Sequence, residues 1–164
     1  MLRQLTPAEI DLYTKDDPVR PHIPAEFRHS HGRQVWGLFE DRYGVMLTYD
    51  KPRAIICVAY TWDIPKDEQE LERYSNTHSR GGPLTTDTAV FYTVWSYSAG
   101  AGRQLVNTLA AHILHTRSEI EQWVTLSPLT DMATRFHTKN GAQLHSVHDT
   151  CQVFDYTHAL VGNE

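Results

Sequence analysis

The run TAVFYTVWS at residues 88–96 passes without a linker into Tyr97-Ser-Ala-Gly-Ala-Gly102 and then into an amphipathic stretch. This order constrains the fold more than any other feature of the chain. Nine residues rich in β-branched and aromatic side chains predict a buried strand. Leu105, Leu109 and Ile113, with Val106, Ala110 and Leu114 beside them, form one apolar stripe and predict a helix from about 103 to 116. A strand that runs through a short loop into a helix able to cover a sheet implies an α/β architecture. Gly100 and Gly102 let the backbone come close to a ligand, and the first turn of the helix aims free N–H groups at an anion. A phosphate held there would gain roughly 1.5–3 kcal/mol for each charge-assisted hydrogen bond, and Arg103 would add charge. A tight turn with no ligand is the simpler alternative. No Gly-Lys-Ser/Thr makes this a Walker loop, and no third Gly near 105 completes a dinucleotide fingerprint.

Elsewhere, apolar runs predict strands at 34–39, 43–49, 54–62, 121–126 and 147–156. The run at 54–62, AIICVAYTW, is apolar over most of its length and reads as a central strand covered on both faces. Thr6-Pro-Ala-Glu9 has the form of a capping box with Pro at the first helical position, so 6 to about 13 reads as a helix. Pro18, Pro21 and Pro24 push the segment that follows towards extended geometry. A short acidic helix is expected at 67–74 and a loop at Ser79-Arg-Gly-Gly-Pro83. Thr130 or Asp131 begins a further helix that should stop at Asn140-Gly141. With no repeat and no shift in composition, residues 1–164 read as a single domain with its core at 88–144.

Composition narrows the function classes. The 164 residues carry a formal charge of -5, which argues against a dedicated nucleic-acid or anionic-membrane binder. Nothing approaches 18 consecutive apolar residues, so a soluble, cytoplasmic protein is expected. The two cysteines, Cys57 and Cys151, cannot form a disulfide framework and read as reduced core residues. His29, His31, His145 and His148 lack a nearby acid-and-Cys set of recognisable spacing, so no metal is expected. His112 and His115 read as solvated.

Thr125-Leu-Ser-Pro128 followed by Arg135-Phe-His-Thr-Lys-Asn-Gly-Ala-Gln-Leu144 is the second informative stretch. Ser127 falls at the end of a strand, and His137 lies about 9 Å up the next helix from Asp131 at 1.5 Å per residue. A hydroxyl and an imidazole so placed can face one cleft, and an imidazole exchanges protons near neutral pH. Ser127 as a local cap and His137 as a half-buried packing residue are the alternatives.

The order strand, glycine loop, helix, strand, helix ending in Gly resembles the acyl-CoA-binding core of the GNAT superfamily of acetyltransferases. More closely, FYTVWSYSAGAGRQL, TLSPL and RFHTKNGAQL resemble the catalytic domain of malonyl-CoA decarboxylase, a divergent branch. The likeness covers about a third of the chain, and Tyr97 stands where the usual loop has Gln or Arg. It implies a mixed, mostly antiparallel sheet of about six or seven strands, with flanking helices and two central strands splayed apart for a pantetheine arm. Ser98, Ala99, Gly100, Ala101, Gly102 and Arg103 would cradle the pyrophosphate of coenzyme A. Val94, Trp95, Ser96, Tyr97 and Asn140 complete the implied CoA-binding set. Ser127 and His137 match the decarboxylase's catalytic Ser and His.

Decarboxylation of malonyl-CoA or a related acyl-CoA is the expected reaction, with Ser127 holding the carboxylate, His137 delivering a proton and backbone N–H groups after Ser96 serving the enolate oxygen. The alternative is acetyl transfer to a small amine, with His137 or Tyr97 as acid. Asp16, Asp17 and Asp87 would then line an acceptor mouth beside the N-terminal 30 residues. A CoA-binding domain without catalysis is the third reading. A homodimer is an allowed further partner.

Overall fold

The computed structural model describes residues 1–40, 50–76 and 85–161. Among them are seven strands: β1 (Leu2–Gln4), β2 (Arg33–Leu38), β3 (Ala54–Thr61), β4 (Thr88–Ser96), β5 (Gln122–Pro128), β6 (Gln143–Val147) and β7 (Cys151–Asp155). They form one open sheet in the order β1-β2-β3-β4-β5-β7-β6. Only β4 and β5 run parallel, so the sheet is mixed and mostly antiparallel, as expected. The helices are α1 (Pro7–Tyr13), α2 (Glu68–Ser75), α3 (Ala101–Thr116), α4 (Asp131–Lys139) and α5 (Thr157–Val161).

Helix α3 returns over one face of the sheet, where Leu105, Val106, Leu109 and Ile113 pack with Ile56, Val58, Ala89 and Phe91. The opposite face carries Ile55, Cys57, Val90, Tyr92 and Trp95, covered by Leu5 and Ile10 from the N-terminal segment and Leu71 from α2. All eight residues of β3 are buried, which is why its sequence shows no alternation. Burial pushes the Cys57 thiol up to about 11, in keeping with a core role.

The N-terminal segment is held by local and long-range contacts. The capping box forms as the sequence predicts, with Thr6 accepting from the Glu9 amide and Glu9 from the Thr6 amide. Arg3 pairs with Glu9 at 2.7 Å and its hydrogen bond holds that carboxyl down at about 2. Further on, Asp17 is buried and accepts from the amides of Val19 and Arg20, the Thr93 hydroxyl on β4, and Arg28 at 2.8 Å. Arg28, with no exposed side-chain surface, also donates to the carbonyls of Arg20 and Ile23. The hydrogen bond from Thr93 and the contact of Arg28 with Cys57 Sγ at 3.6 Å tie this locally braced segment to the centre of the sheet.

Several expectations need correction. Residues 147–156 are not one strand. The His148 amide donates to the Cys151 carbonyl at 2.8 Å, closing a turn that folds β6 back on β7. Because β6 is an edge strand with Leu144 and Val147 exposed, it lacks the apolar face that would mark it in the sequence. Helix α3 begins at Ala101 rather than near 103, and β5 runs on to Pro128. Strand β1 and helix α5 escaped the sequence patterns through their shortness. His112 is half-buried and packs on Trp36 with ring centres 5.0 Å apart, so it is not merely solvated. The strand expected at 43–49 and the loop at 79–83 lie outside the described residues.

Candidate active site

Strands β4 and β5 pair only from Thr88 to Phe91 against Gln122 to Thr125. Tyr92 is then left without a partner on β3, where the register slips between Cys57 and Val58. A bulge of this kind bends its strand and raises the local twist, so β4 turns away from β5 at this point. The guanidinium of Arg20, itself paired with Glu68 at 2.7 Å, donates to the carbonyl of the bulged Tyr92. The central strands therefore splay, and each keeps its outer neighbour while losing the inner one.

A cavity of about 360 Å³ occupies the gap. Its walls come from both faces of the sheet, because parted strands leave a passage through it. Val94, Ser96, Gly102, Val106, Phe136 and His137 line the side covered by α3 and α4. Asp16, Pro18, Val19, Trp95 and Tyr97 line the other. Ser127, near the free end of β5, and His137, on α4, are thus brought to one cavity. Ser127 is buried and shares a 2.8 Å hydrogen bond with Thr125 two residues back on the same strand face.

His137 is deeply buried between the rings of Phe136, Phe154 and Tyr156. Burial depresses its pKa to about 4, so the imidazole is neutral at pH 7. Its Nδ1 lies 2.7 Å from the Tyr156 hydroxyl. The lowered value carries a stability consequence. Between pH 6.5 and 4 the unfolded chain protonates this imidazole while the folded chain does not, so stability falls as pH falls across that window. The loss attributable to His137 should approach about 3 kcal/mol at pH 4. Urea unfolding at pH 7 and pH 4 of wild type and His137→Gln checks it, since the variant should lose less on acidification. Equal losses would remove His137 as the cause.

At the head of α3, Gly100 adopts φ +77°, the left-handed region that favours glycine, with open space around its Cβ position. A Cβ at Gly102 would stand 2.9 Å from Ser96 Oγ, so the glycine keeps the mouth between strand and helix open. In the first turn the Ala101 amide is taken by the Ser98 carbonyl at 3.2 Å, while those of Gly102 and Arg103 lack intrahelical acceptors by geometry, and the Arg103 side chain is exposed beside them. This cradle suits a pyrophosphate. Gly102→Ala should leave the melting temperature unchanged or slightly higher, because alanine is the better helix former. If the loop holds a phosphate-bearing ligand such as CoA, the same change should weaken its binding by about tenfold, because the added methyl crowds the mouth beside Ser96 Oγ. Isothermal titration with CoA reads this directly, and unchanged affinity would remove the loop from the site.

Among the residues assigned from the sequence, Val94, Trp95, Ser96, Tyr97, Gly102, Ser127 and His137 line the cavity. Ser98, Ala99, Gly100, Ala101 and Arg103 form the loop and helix start at its edge. Asn140 does not line it; the side chain is buried beneath, accepting from Arg103 Nε at 3.2 Å and Asn107 Nδ2 at 2.9 Å. The Tyr97 amide is taken by the Arg53 carbonyl at 2.8 Å, so it is not free to serve an oxyanion. The Tyr97 hydroxyl donates to Asp16 at 2.7 Å, and burial with that contact raises its pKa well above the usual value. Asp17 is no mouth residue but the buried partner of Arg28, and Asp87 sits at the opposite end of β4. Tyr156 had no sequence signal, since it meets His137 only through the tertiary fold. Among the described residues no three His, Cys, Asp or Glu side chains gather as a metal site requires, and no helix is long and apolar enough to cross a membrane.

An open mixed sheet with one parallel central pair, a bulge and a splay, and a glycine-capped helix after the bulged strand together define a GNAT-like fold. Solved structures bear this out. Malonyl-CoA decarboxylase from Agrobacterium vitis superposes with a TM-score of 0.63 at 23% identity, over 88% of this chain and 38% of that one. The GNAT-like decarboxylase GphF, in complex with isobutyryl-CoA, matches with a TM-score of 0.64 at 10% identity, over 94% of this chain and 97% of that one. Arabidopsis thaliana NAA60, in complex with acetyl-CoA, matches with a TM-score of 0.58 at 11% identity, over 95% of this chain and 97% of that one. The chain spans only about 38% of the length of the A. vitis decarboxylase. No protein-family model and no curated protein matches the sequence.

Proposed function

We propose that this protein binds acyl-CoA in the splay and decarboxylates malonyl-CoA or a related acyl-CoA, with Ser127 and His137 as catalytic residues. The observation that carries the reading is the meeting of Ser127 and His137 at the cavity where β4 leaves β5. The pantetheine arm lies along the freed edge of β4, and the pyrophosphate sits at Ser98 to Arg103. Loss of CO2 breaks the bond from C2 to the carboxylate and sends its electron pair into the thioester as an enolate. Backbone donors of β4 stabilise the enolate oxygen, Ser127 holds the departing carboxylate, and His137 protonates C2. Among its described residues the cavity contains no Lys or Arg, so a carboxylate enters an apolar space that favours its departure as neutral CO2. No metal enters this scheme.

Acetyl transfer to a small amine is the second reading. It is favoured by Asp16, an acidic group at the cavity edge and hydrogen-bonded to Tyr97, since that carboxylate suits a cationic acceptor. Separate incubation with malonyl-CoA and acetyl-CoA, followed by mass spectrometry, decides between them. Acetyl-CoA formed from malonyl-CoA supports decarboxylation. Malonyl-CoA that survives, with an amine acetylated from acetyl-CoA, overturns it, and tight CoA binding with no product points to a non-catalytic domain. A second copy of the chain would join through the exposed edge strand β6, and a cytoplasmic setting fits this chemistry.

A further inference from the structure

We propose that Tyr156 is a positioning residue that holds His137 in the tautomer with its proton on Nε2, and that Asn140 sets the direction of the hydrogen bond by which it does so. The inference rests on the reading of His137 as the proton donor to C2. A guanidinium can only donate, so the Arg103 Nε contact at 3.2 Å identifies the Asn140 oxygen; Asn107 Nδ2 meets the same atom at 2.9 Å. The Asn140 amide nitrogen must then face Tyr156 and donate to its hydroxyl oxygen at 3.3 Å. The Tyr156 hydroxyl is fully buried, and His137 Nδ1 at 2.7 Å is its other hydrogen-bond neighbour among the described residues.

Two arrangements are possible at that contact. If Nδ1 carried the proton, the Tyr156 oxygen would accept twice and leave its own O–H buried without an acceptor, a costly state. If Tyr156 donates to Nδ1, its oxygen accepts from Asn140 Nδ2 and both atoms of the contact are satisfied. The neutral imidazole then carries its single proton on Nε2, the nitrogen with no protein partner among the described residues, on a side chain that lines the cavity. Direction therefore passes from Arg103, at the head of α3, through Asn140 and Tyr156 to the ring. During turnover Nε2 gives its proton to C2 and the Tyr156 proton follows to Nδ1, so the ring remains a neutral imidazole and the negative charge rests transiently on the Tyr156 oxygen, which accepts from Asn140 Nδ2. After product leaves, water reprotonates Nε2, and Nδ1 returns its proton to Tyr156.

Long-range 1H–15N correlation spectra of the His-labelled protein report the tautomer without any need for activity. Wild type should show Nε2 protonated and Nδ1 bare at pH 7. Asn140→Asp replaces the donor facing Tyr156 with an acceptor, so the hydroxyl should turn to position 140 and His137 should switch to the Nδ1-protonated form. Tyr156→Phe, which keeps the ring packing, should give a mixture of tautomers and lower kcat by about tenfold, with KM for acyl-CoA within about twofold. A wild-type spectrum with Nδ1 protonated, or unchanged tautomers in both variants, would overturn the proposal. A protein inactive on malonyl-CoA that still shows the Nε2 form and the Asn140→Asp switch would defeat the decarboxylase reading and leave the positioning role intact.

Discussion

Replacing His137 by alanine should reduce malonyl-CoA turnover by about 10²–10⁴-fold, the usual worth of a positioned general acid. CoA affinity should change little, because the hydrogen bonds of His137 reach Arg103 of the proposed cradle only through Tyr156 and Asn140. The expectation follows from where the ring sits. Its burial keeps it neutral near pH 7, and its Nδ1 is engaged by Tyr156, leaving one nitrogen for the substrate. Activity should accordingly show no inflection near pH 6.5 from this group. Steady-state kinetics from pH 5.5 to 8, paired with CoA titrations of wild type and variant, provide the check. Equal turnover in the alanine variant would remove His137 from the chemistry, and a parallel loss of CoA affinity would recast it as a binding residue.

Arg28→Met should cost about 3–5 kcal/mol of folding stability, because it removes the cation from a fully buried ion pair and leaves Asp17 uncompensated. Thr93 and the amides of Val19 and Arg20 still reach that carboxylate, but they cannot replace a full charge. The loss is read from urea unfolding at pH 7. Arg28→Met combined with Asp17→Asn should recover part of it, since no charge is then stranded. The same contacts hold Asp16, Pro18 and Val19 against the cavity, so the single variant should also raise KM for acyl-CoA. A loss below about 1 kcal/mol would show that the segment is held by its apolar contacts instead.

These two expectations differ in how far the sequence could support them. Ser127 and His137 were legible because their surroundings, TLSPL and RFHTKNGAQL, carry a family likeness and because a strand end and the next helix are adjacent in the chain. Strand β4, the glycine loop and α3 were legible from one continuous pattern of buried side chains, loop and stripe. Arg28 and Asp17 gave no such sign. Asp17 reads from the sequence as a residue of an acceptor mouth, and only the packing of its proline-rich stretch across β4 turns it and Arg28 into a buried pair. The β6–β7 hairpin was hidden for a related reason, since an edge strand without a buried face has no alternating pattern to show.

What the sequence determined by itself was the α/β class, the order of the central elements and the residue types at the strand end and the helix. All of these depend on neighbours within a few positions, where side-chain periodicity and backbone preference act. Tertiary structure alone decided the bulge at Tyr92, the parting of β4 from β5, the cavity through the sheet and the Arg103–Asn140–Tyr156–His137 chain of contacts. Each joins atoms whose chain separation is large and whose pairing is set by register and by the exclusion of water. Such pairings leave no trace in local composition, because the free energy that selects them arises only when the sheet has formed and its polar atoms must find partners inside it.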